Sequence, residues 1–242
     1  MSTVLDAPAV SPPANPPQPF AIRLVNLGAE AHIPGWVRDL ESFRKWADSS
    51  DYPDRGKFSY LHGELFVDLE MEQLFSHNQL KTELTIELGR RVRDSQLGYF
   101  FSDGVRLSNP AADLSSEPNA VMVSFSAIQS GRVKLVRGTL GGYVELEGSP
   151  ELVVEIVSPG SVRKDTVVLK PLYAQAGVSE YWIIDARKAP VQFQLWVLTP
   201  KGYVPAELRD GHPVSPLLQS PVSIGQSQDP LGHPRFMVKL GA

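Results

Sequence analysis

The sequence predicts an α/β (α+β) domain with a mixed β-sheet packed between helices. Residues 73–94 carry Leu80, Leu84, Leu88 and Val92 at steps of four, the clearest helical stripe in the chain. Residues 120–125 and 151–157 are short apolar runs of strand type. Read along the chain, the order is helix, hairpin, long helix, several strands, helix, strands, with no internal repeat.

Taken in order, the first 19 residues hold six prolines among small residues and predict a flexible leader rather than a ligand for a proline-binding module. Trp36, Leu40, Phe43 and Trp46 fall on one face of a short helix over 36–48. Residues 58–69 read as two strands around a tight turn at His62-Gly63. Gly98 ends the long helix, and Tyr99-Phe100-Phe101 opens a strand. A helix is expected over 167–176, with Gly177 as its stop and Pro171 either in its first turn or kinking it. Residues 180–185 and 191–197 come next as strands. From 205 onward the density of Pro, Gly and Ser predicts a loop-like wrap ending in a strand at 236–240.

Composition narrows the function classes. The chain has 242 residues, of which 42% are hydrophobic, enough to fill a core and to exclude wholesale disorder. It has no cysteine, which removes disulfide scaffolds and thiolate metal sites and fits a reducing cytoplasm, the expected location. A formal net charge of −4 argues against a protein that coats nucleic acid, though not against an enzyme that touches DNA through one patch. No apolar run approaches the roughly 20 residues that span a bilayer, so no membrane partner is expected. The N-terminus lacks the charged-then-apolar order of a signal peptide.

Glu155 is the sharpest chemical feature. It interrupts the run Leu152-Val153-Val154-Glu155-Ile156-Val157, and a carboxylate buried among valines needs a cation, a metal or a hydrogen bond. If the strand is half exposed, Glu155 simply faces water. The strand ends at Ser158-Pro159-Gly160, and Arg163, Lys164, Asp165 and Lys170 come at once after it, where strand ends commonly line sites. The segment 113–120, with Asp113 and Asn119, leads into a strand that could face Glu155; read alone, it is an ordinary turn. Glu64 lies near the hairpin turn, and His77 opens the long helix, where a lone histidine usually has a structural role. The five histidines show no zinc-binding spacing, and no glycine-rich phosphate loop or nucleophile-elbow motif occurs. Arg90, Arg91 and Arg93, and then Arg132, Lys134 and Arg137, form two basic clusters that could meet phosphates or simply be solvated.

Residues 153–159, Arg163-Lys164-Asp165-Thr166 and the string from Tyr173 to Asp185 resemble the Uma-two family of restriction-endonuclease-like proteins, within the PD-(D/E)XK nuclease superfamily. Gly63-Glu64-Leu65, Met71-Glu72 and Ser76-His77-Asn78 agree in order, and the resemblance covers roughly residues 36–200. It implies a restriction-endonuclease-like mixed sheet flanked by helices, one such domain over 20–242, and a metal-dependent endonuclease that uses Mg2+ (or Mn2+) to cleave DNA. By that resemblance Glu155 is the glutamate of the (D/E)XK half-motif. Val157 stands where its lysine would be, and Lys164 and Lys170 are the candidates for a lysine moved to the following helix. The family's lysine four residues after its aspartate corresponds here to Leu169.

Asn119 stands where the family has the aspartate of Pro-Asp, a main metal ligand. It keeps an oxygen and loses the charge; Asp113, Glu117 or Glu64 would have to compensate. Two further readings stay open: a pseudo-nuclease that binds nucleic acid or a protein, and an interaction module unrelated to nucleic acid. A homodimer formed by exposed-edge pairing stays open by analogy with the superfamily.

Overall fold

The computed structural model describes residues 22–26 and 29–241; the leader expected over 1–19 lies outside the described residues. Strands β1 (Ile22–Asn26) and β2 (Ala29–Ile33) pair antiparallel. Helix α1 (Leu40–Ala47) starts at a capping box, in which the Ser42 N–H donates to Asp39 Oδ1 at 2.8 Å and the Asp39 N–H donates to Ser42 Oγ at 3.0 Å. The expected helix over 36–48 is therefore shorter. Asp39 sets its start, and Trp36 lies before it, 44% exposed. Strands β3 (Lys57–Leu61) and β4 (Glu64–Asp68) form the expected hairpin, and His62 and Gly63 both take the positive φ that a two-residue turn demands.

A π-helical turn, Leu74–Gln79, runs into α2 (Leu80–Asp94), which buries the predicted stripe of Leu80, Leu84, Leu88 and Val92. Next come β5 (Gly98–Ser102), β6 (Arg106–Asn109), β7 (Leu114–Ser116) and β8 (Ala120–Ser124), then α3 (Phe125–Gln129), β9 (Val133–Arg137), β10 (Tyr143–Gly148) and β11 (Leu152–Ile156). A second π-helical turn, Lys164–Val168, runs without a break into α4 (Leu169–Gln175), so Pro171 sits inside a continuous helical run just after the π turn. Gly177, at φ +76, turns the chain out of α4. Strands β12 (Glu180–Asp185), β13 (Gln192–Thr199) and β14 (Gly202–Pro205) complete this part of the chain.

Two six-stranded mixed sheets result, in the orders β4-β3-β7-β6-β10-β9 and β14-β13-β12-β11-β8-β5. In the second sheet β11 and β12 are parallel neighbours, while β8 pairs antiparallel with β11. One core gathers residues from both sheets together with α4, including Leu107, Leu146, Val153, Val157, Tyr173 and Ile183. The other lies on the opposite face of the second sheet and includes Leu152, Val154 and Ile156, packed with α2. Alternate residues of β11 thus enter different cores, which is why this strand reads as an apolar run rather than an alternation. A third cluster holds Phe43 and Trp46 of α1 against Phe58 and Tyr60 of β3.

The C-terminal strand expected at 236–240 is present within the last strand of the chain, but the loop-like wrap before it is corrected. Residues beyond 205 build an antiparallel meander, β15 (Leu208–Arg209), β16 (His212–Ser215), β17 (Ser220–Gln228) and β18 (Pro234–Leu240). Its Val222, Phe236 and Val238 complete the core beneath α2. Turn-forming residues masked this alternation in the sequence. Glu180 ties the meander to the sheet: its buried carboxylate accepts hydrogen bonds from Ser215 Oγ, the Leu217 N–H and Trp182 Nε1 at 2.7–2.9 Å. Among the described residues, no helix is long and apolar enough to cross a membrane.

Candidate active site

A cleft of about 380 Å³ opens at the carboxyl end of β11, bounded by β3, the segment after β4, the π turn before α2, and the turn after β11. Glu155 forms part of its floor and is 2% exposed. Alternation places the Glu155 side chain on the same face of β11 as Val153 and Val157, toward α4. There Tyr173 Oη donates to Glu155 Oε1 at 3.2 Å, and Ser116 Oγ lies 2.9 Å from the same hydroxyl. Tyr173 spends its proton on Glu155, so Ser116 is the donor to Tyr173. Burial pushes the Glu155 carboxyl up to about 7, against the pull of Lys164.

Lys164 Nζ lies 3.9 Å from Glu155 Oε1 and 2.5 Å from Asp165 Oδ1. Burial works against its charge, yet Glu155 and Asp165 together hold its pKa above the ordinary lysine value, so it stays cationic. Asp165 is buried too. Ser161 Oγ donates to its Oδ2, and Tyr181 Oη donates to its carbonyl at 2.8 Å. The π turn explains which lysine enters. It sets Lys164 toward the strand, while Leu169 is fully buried in the core. Lys170 points elsewhere, with its Nζ 2.9 Å from the centre of the Trp196 ring.

Asn119 sits one residue before the pair Ala120↔Val154, directly across from Glu155. Its Oδ1 accepts the Ile156 N–H at 2.7 Å, and its Nδ2 lies 3.3 Å from His77 Nε2. Burial holds His77 below its ordinary pKa, so the ring is neutral at pH 7. Beside it, Glu72 accepts from Lys81 at 2.7 and 2.8 Å and from Lys57 at 3.3 Å, and both lysines also reach Asp103. Asp68 accepts from Ser158 Oγ at 2.9 Å.

The structure thus brings Glu155, Lys164, Asn119 and His77 to one cleft and leaves three other candidates outside it. Besides Lys170, Glu64 is exposed at the hairpin, 3.9 Å from Arg163, because the tight turn carries it to the far end of β4. Asp113 closes a 3₁₀ turn in the left-handed region and faces His62, so neither carboxylate stands in for the charge missing at 119. Glu117 does line the cleft, but it faces Arg106 at 3.6 Å. The basic clusters are largely engaged internally: Arg91 caps the Leu218 carbonyl, Arg132 pairs with Glu151 and Lys134 with Glu147. Sequence reasoning missed Lys57, Asp68 and Arg187. Tyr173 was legible only as the start of the string, Tyr173 to Asp185, that carries the resemblance.

Comparison with known families matches residues 40–224 to Uma2, described as "Putative restriction endonuclease". The chain belongs to the Uma2 family. A crystal structure of "a putative nuclease belonging to DUF820" from Anabaena variabilis is similar to it, with a TM-score of 0.53 and 17% identity over 75% of this chain and 90% of that one. At that identity the likeness establishes the mixed α/β fold alone. Comparison with curated proteins gives no match.

For a Uma2 protein the question is whether this cleft suits a divalent cation. Among the described residues, no three His, Asp or Glu side chains cluster closely enough to cage one. Mg2+ needs less, because it commonly takes one or two carboxylates and completes its shell with water and substrate phosphate. The Glu155 carboxylate, in a cleft that Asn119 also lines, fits that sparser demand. The wider lining agrees, with six carboxylates (Asp68, Glu70, Glu72, Glu117, Glu155 and Asp165) against three cations, a surface that repels phosphate without a counter-charge.

Proposed function

We propose that this Uma2 protein is an endonuclease that hydrolyses phosphodiester bonds of DNA, assisted by Mg2+ or Mn2+. The observation that carries the reading is the buried Glu155 carboxylate with the Lys164 ammonium 3.9 Å away at the floor of an acidic cleft. Glu155 and the Asn119 amide oxygen would hold the cation, which when bound polarises the phosphate and lowers the pKa of a water. Lys164 remains protonated and offsets negative charge developing on the phosphate oxygens. Tyr173 and Ser116 fix the Glu155 carboxylate from behind, and Asn119 braces the backbone at Ile156. Asn119 makes this a reduced version of a two-carboxylate site, with correspondingly weak cation affinity.

A second reading, a pseudo-nuclease that retains the scaffold as a binding module, is favoured by one observation. Both ends of the Asn119 amide are already engaged, by Ile156 and His77. The experiment that separates the two is cleavage of supercoiled plasmid and single-stranded DNA with Mg2+ or Mn2+, run beside Glu155→Gln. Cation-dependent cutting that the variant abolishes supports the nuclease. An inactive parent protein supports the binding module.

A further inference from the structure

Three side-chain cations line the cleft, and two of them pair with its own carboxylates. Lys57 is held by Glu72 at 3.3 Å and Asp103 at 3.0 Å; Lys164 is held by Asp165 and Glu155. The third is Arg187. Its Nε donates to Asp185 Oδ1 at 2.9 Å and its Nη2 to Asp185 Oδ2 at 2.7 Å, while its backbone N–H reaches the same carboxylate at 3.1 Å. A guanidinium carries five N–H donors. Two are used here, and both hydrogens of Nη1 have no hydrogen-bond partner among the described residues.

Topology brings this group to the cleft. Strands β11 and β12 run parallel with Glu155 beside Ile183 and Ile156 beside Ile184, and the Val157 N–H donates to the Ile184 carbonyl at 2.9 Å. Both strands therefore deliver their next residues to the same end of the sheet. The turn after β11 and Arg187 after β12 both border the cleft. A salt bridge between residues two apart and one-third exposed contributes little to stability. The pair's main effect is orientation: Asp185 grips one edge of the planar fork and leaves the other edge presented. An arginine fixed in this way suits the oxygens of a phosphate, which accept paired N–H donors.

We infer that Arg187, held by Asp185, is the cleft's contact to a substrate phosphodiester. The inference rests on the nuclease reading and adds the residue that recognises the backbone being cut. Pre-orientation by Asp185 reduces the side-chain ordering that binding requires.

The test is DNA binding in a Glu155→Gln background, read by fluorescence anisotropy of a labelled duplex with Mg2+ across a salt series. Adding Arg187→Ala is expected to weaken binding roughly tenfold and to lower the slope of log affinity against log salt by about one. Arg187→Lys should fall between, since it keeps charge and loses the fork. Lys188→Ala, the exposed neighbour outside the cleft lining, should shift both quantities less. If Arg187→Ala and Arg187→Lys bind with the affinity and slope of the Glu155→Gln background while the parent protein cuts DNA, the Arg187 assignment falls and the nuclease stands. If the parent protein neither binds nor cuts DNA, the nuclease reading falls and takes Arg187 with it.

Discussion

Asn119 donates its amide hydrogen to His77 Nε2 at 3.3 Å, because its oxygen is already committed to the Ile156 N–H at 2.7 Å. His77 must then accept at Nε2 and carry its proton on Nδ1, whose nearest carboxylate oxygen is Glu72 Oε2 at 3.5 Å. The amide and the neutral imidazole are matched. An aspartate at 119 would instead require a proton on Nε2, so position 119 is set by its neighbours as well as by any cation.

Asn119→Asp tests that match and the cation site together. A second carboxylate beside Glu155 should tighten Mn2+ or Mg2+ by roughly tenfold. It should also raise the pKa of His77, which would then lie between two carboxylates. Calorimetry reads the first effect and NMR titration of the imidazole the second. Unchanged values in both would mean that the side chain at 119 does not face the site as described.

Glu155 leaves a signature in stability. Its carboxyl is raised from 4.5 to about 7 by burial, so the folded protein holds that proton more tightly than the unfolded chain. The resulting stabilisation is complete below about pH 4.5 and is lost as pH rises through about 7. Glu155→Gln should flatten the fall in stability across that window in urea melts at several pH values. It should abolish cleavage while leaving the fold intact.

Lys164 and Lys170 can be told apart by exchange for methionine. Lys164→Met strands Asp165 beside Glu155 in the interior and should cost about 3–5 kcal/mol, with loss of cleavage. Lys170→Met loses only a cation–π contact with Trp196, about 1 kcal/mol, and should cut DNA normally. Chemical denaturation and the plasmid assay measure the two effects; a Lys170→Met protein that folds but does not cut would reverse the assignment.

Tyr173→Phe removes the hydroxyl that donates to Glu155 and leaves Ser116 without its partner. A loss of about 1–3 kcal/mol in stability is expected. Without that donor the charged carboxylate is less favoured, so the pH–rate profile should move to higher pH. A profile that keeps its midpoint would limit Tyr173 to packing.

Much of the architecture was written locally. Leu80, Leu84, Leu88 and Val92 specify α2 through a four-residue step, and His62-Gly63 specifies a hairpin because few residues tolerate positive φ. Glu155 was conspicuous for an equally local reason, a carboxylate in an apolar run. The sequence alone could not choose between Lys164 and Lys170, since a π turn changes helical phase and only packing decides where that turn forms. Nor could it exclude Glu64 and Asp113, which are acidic and nearby in the motif order but are carried away by a hairpin and a 3₁₀ turn. The meander beyond 205 was hidden because its strands alternate weakly and gain their stability from the core beneath α2. Arg187 was invisible for a related reason. Its place in the same cleft as Glu155 arises from two parallel strands ending at the same edge of a sheet, a relationship between segments some 30 residues apart that exists only once the chain is folded.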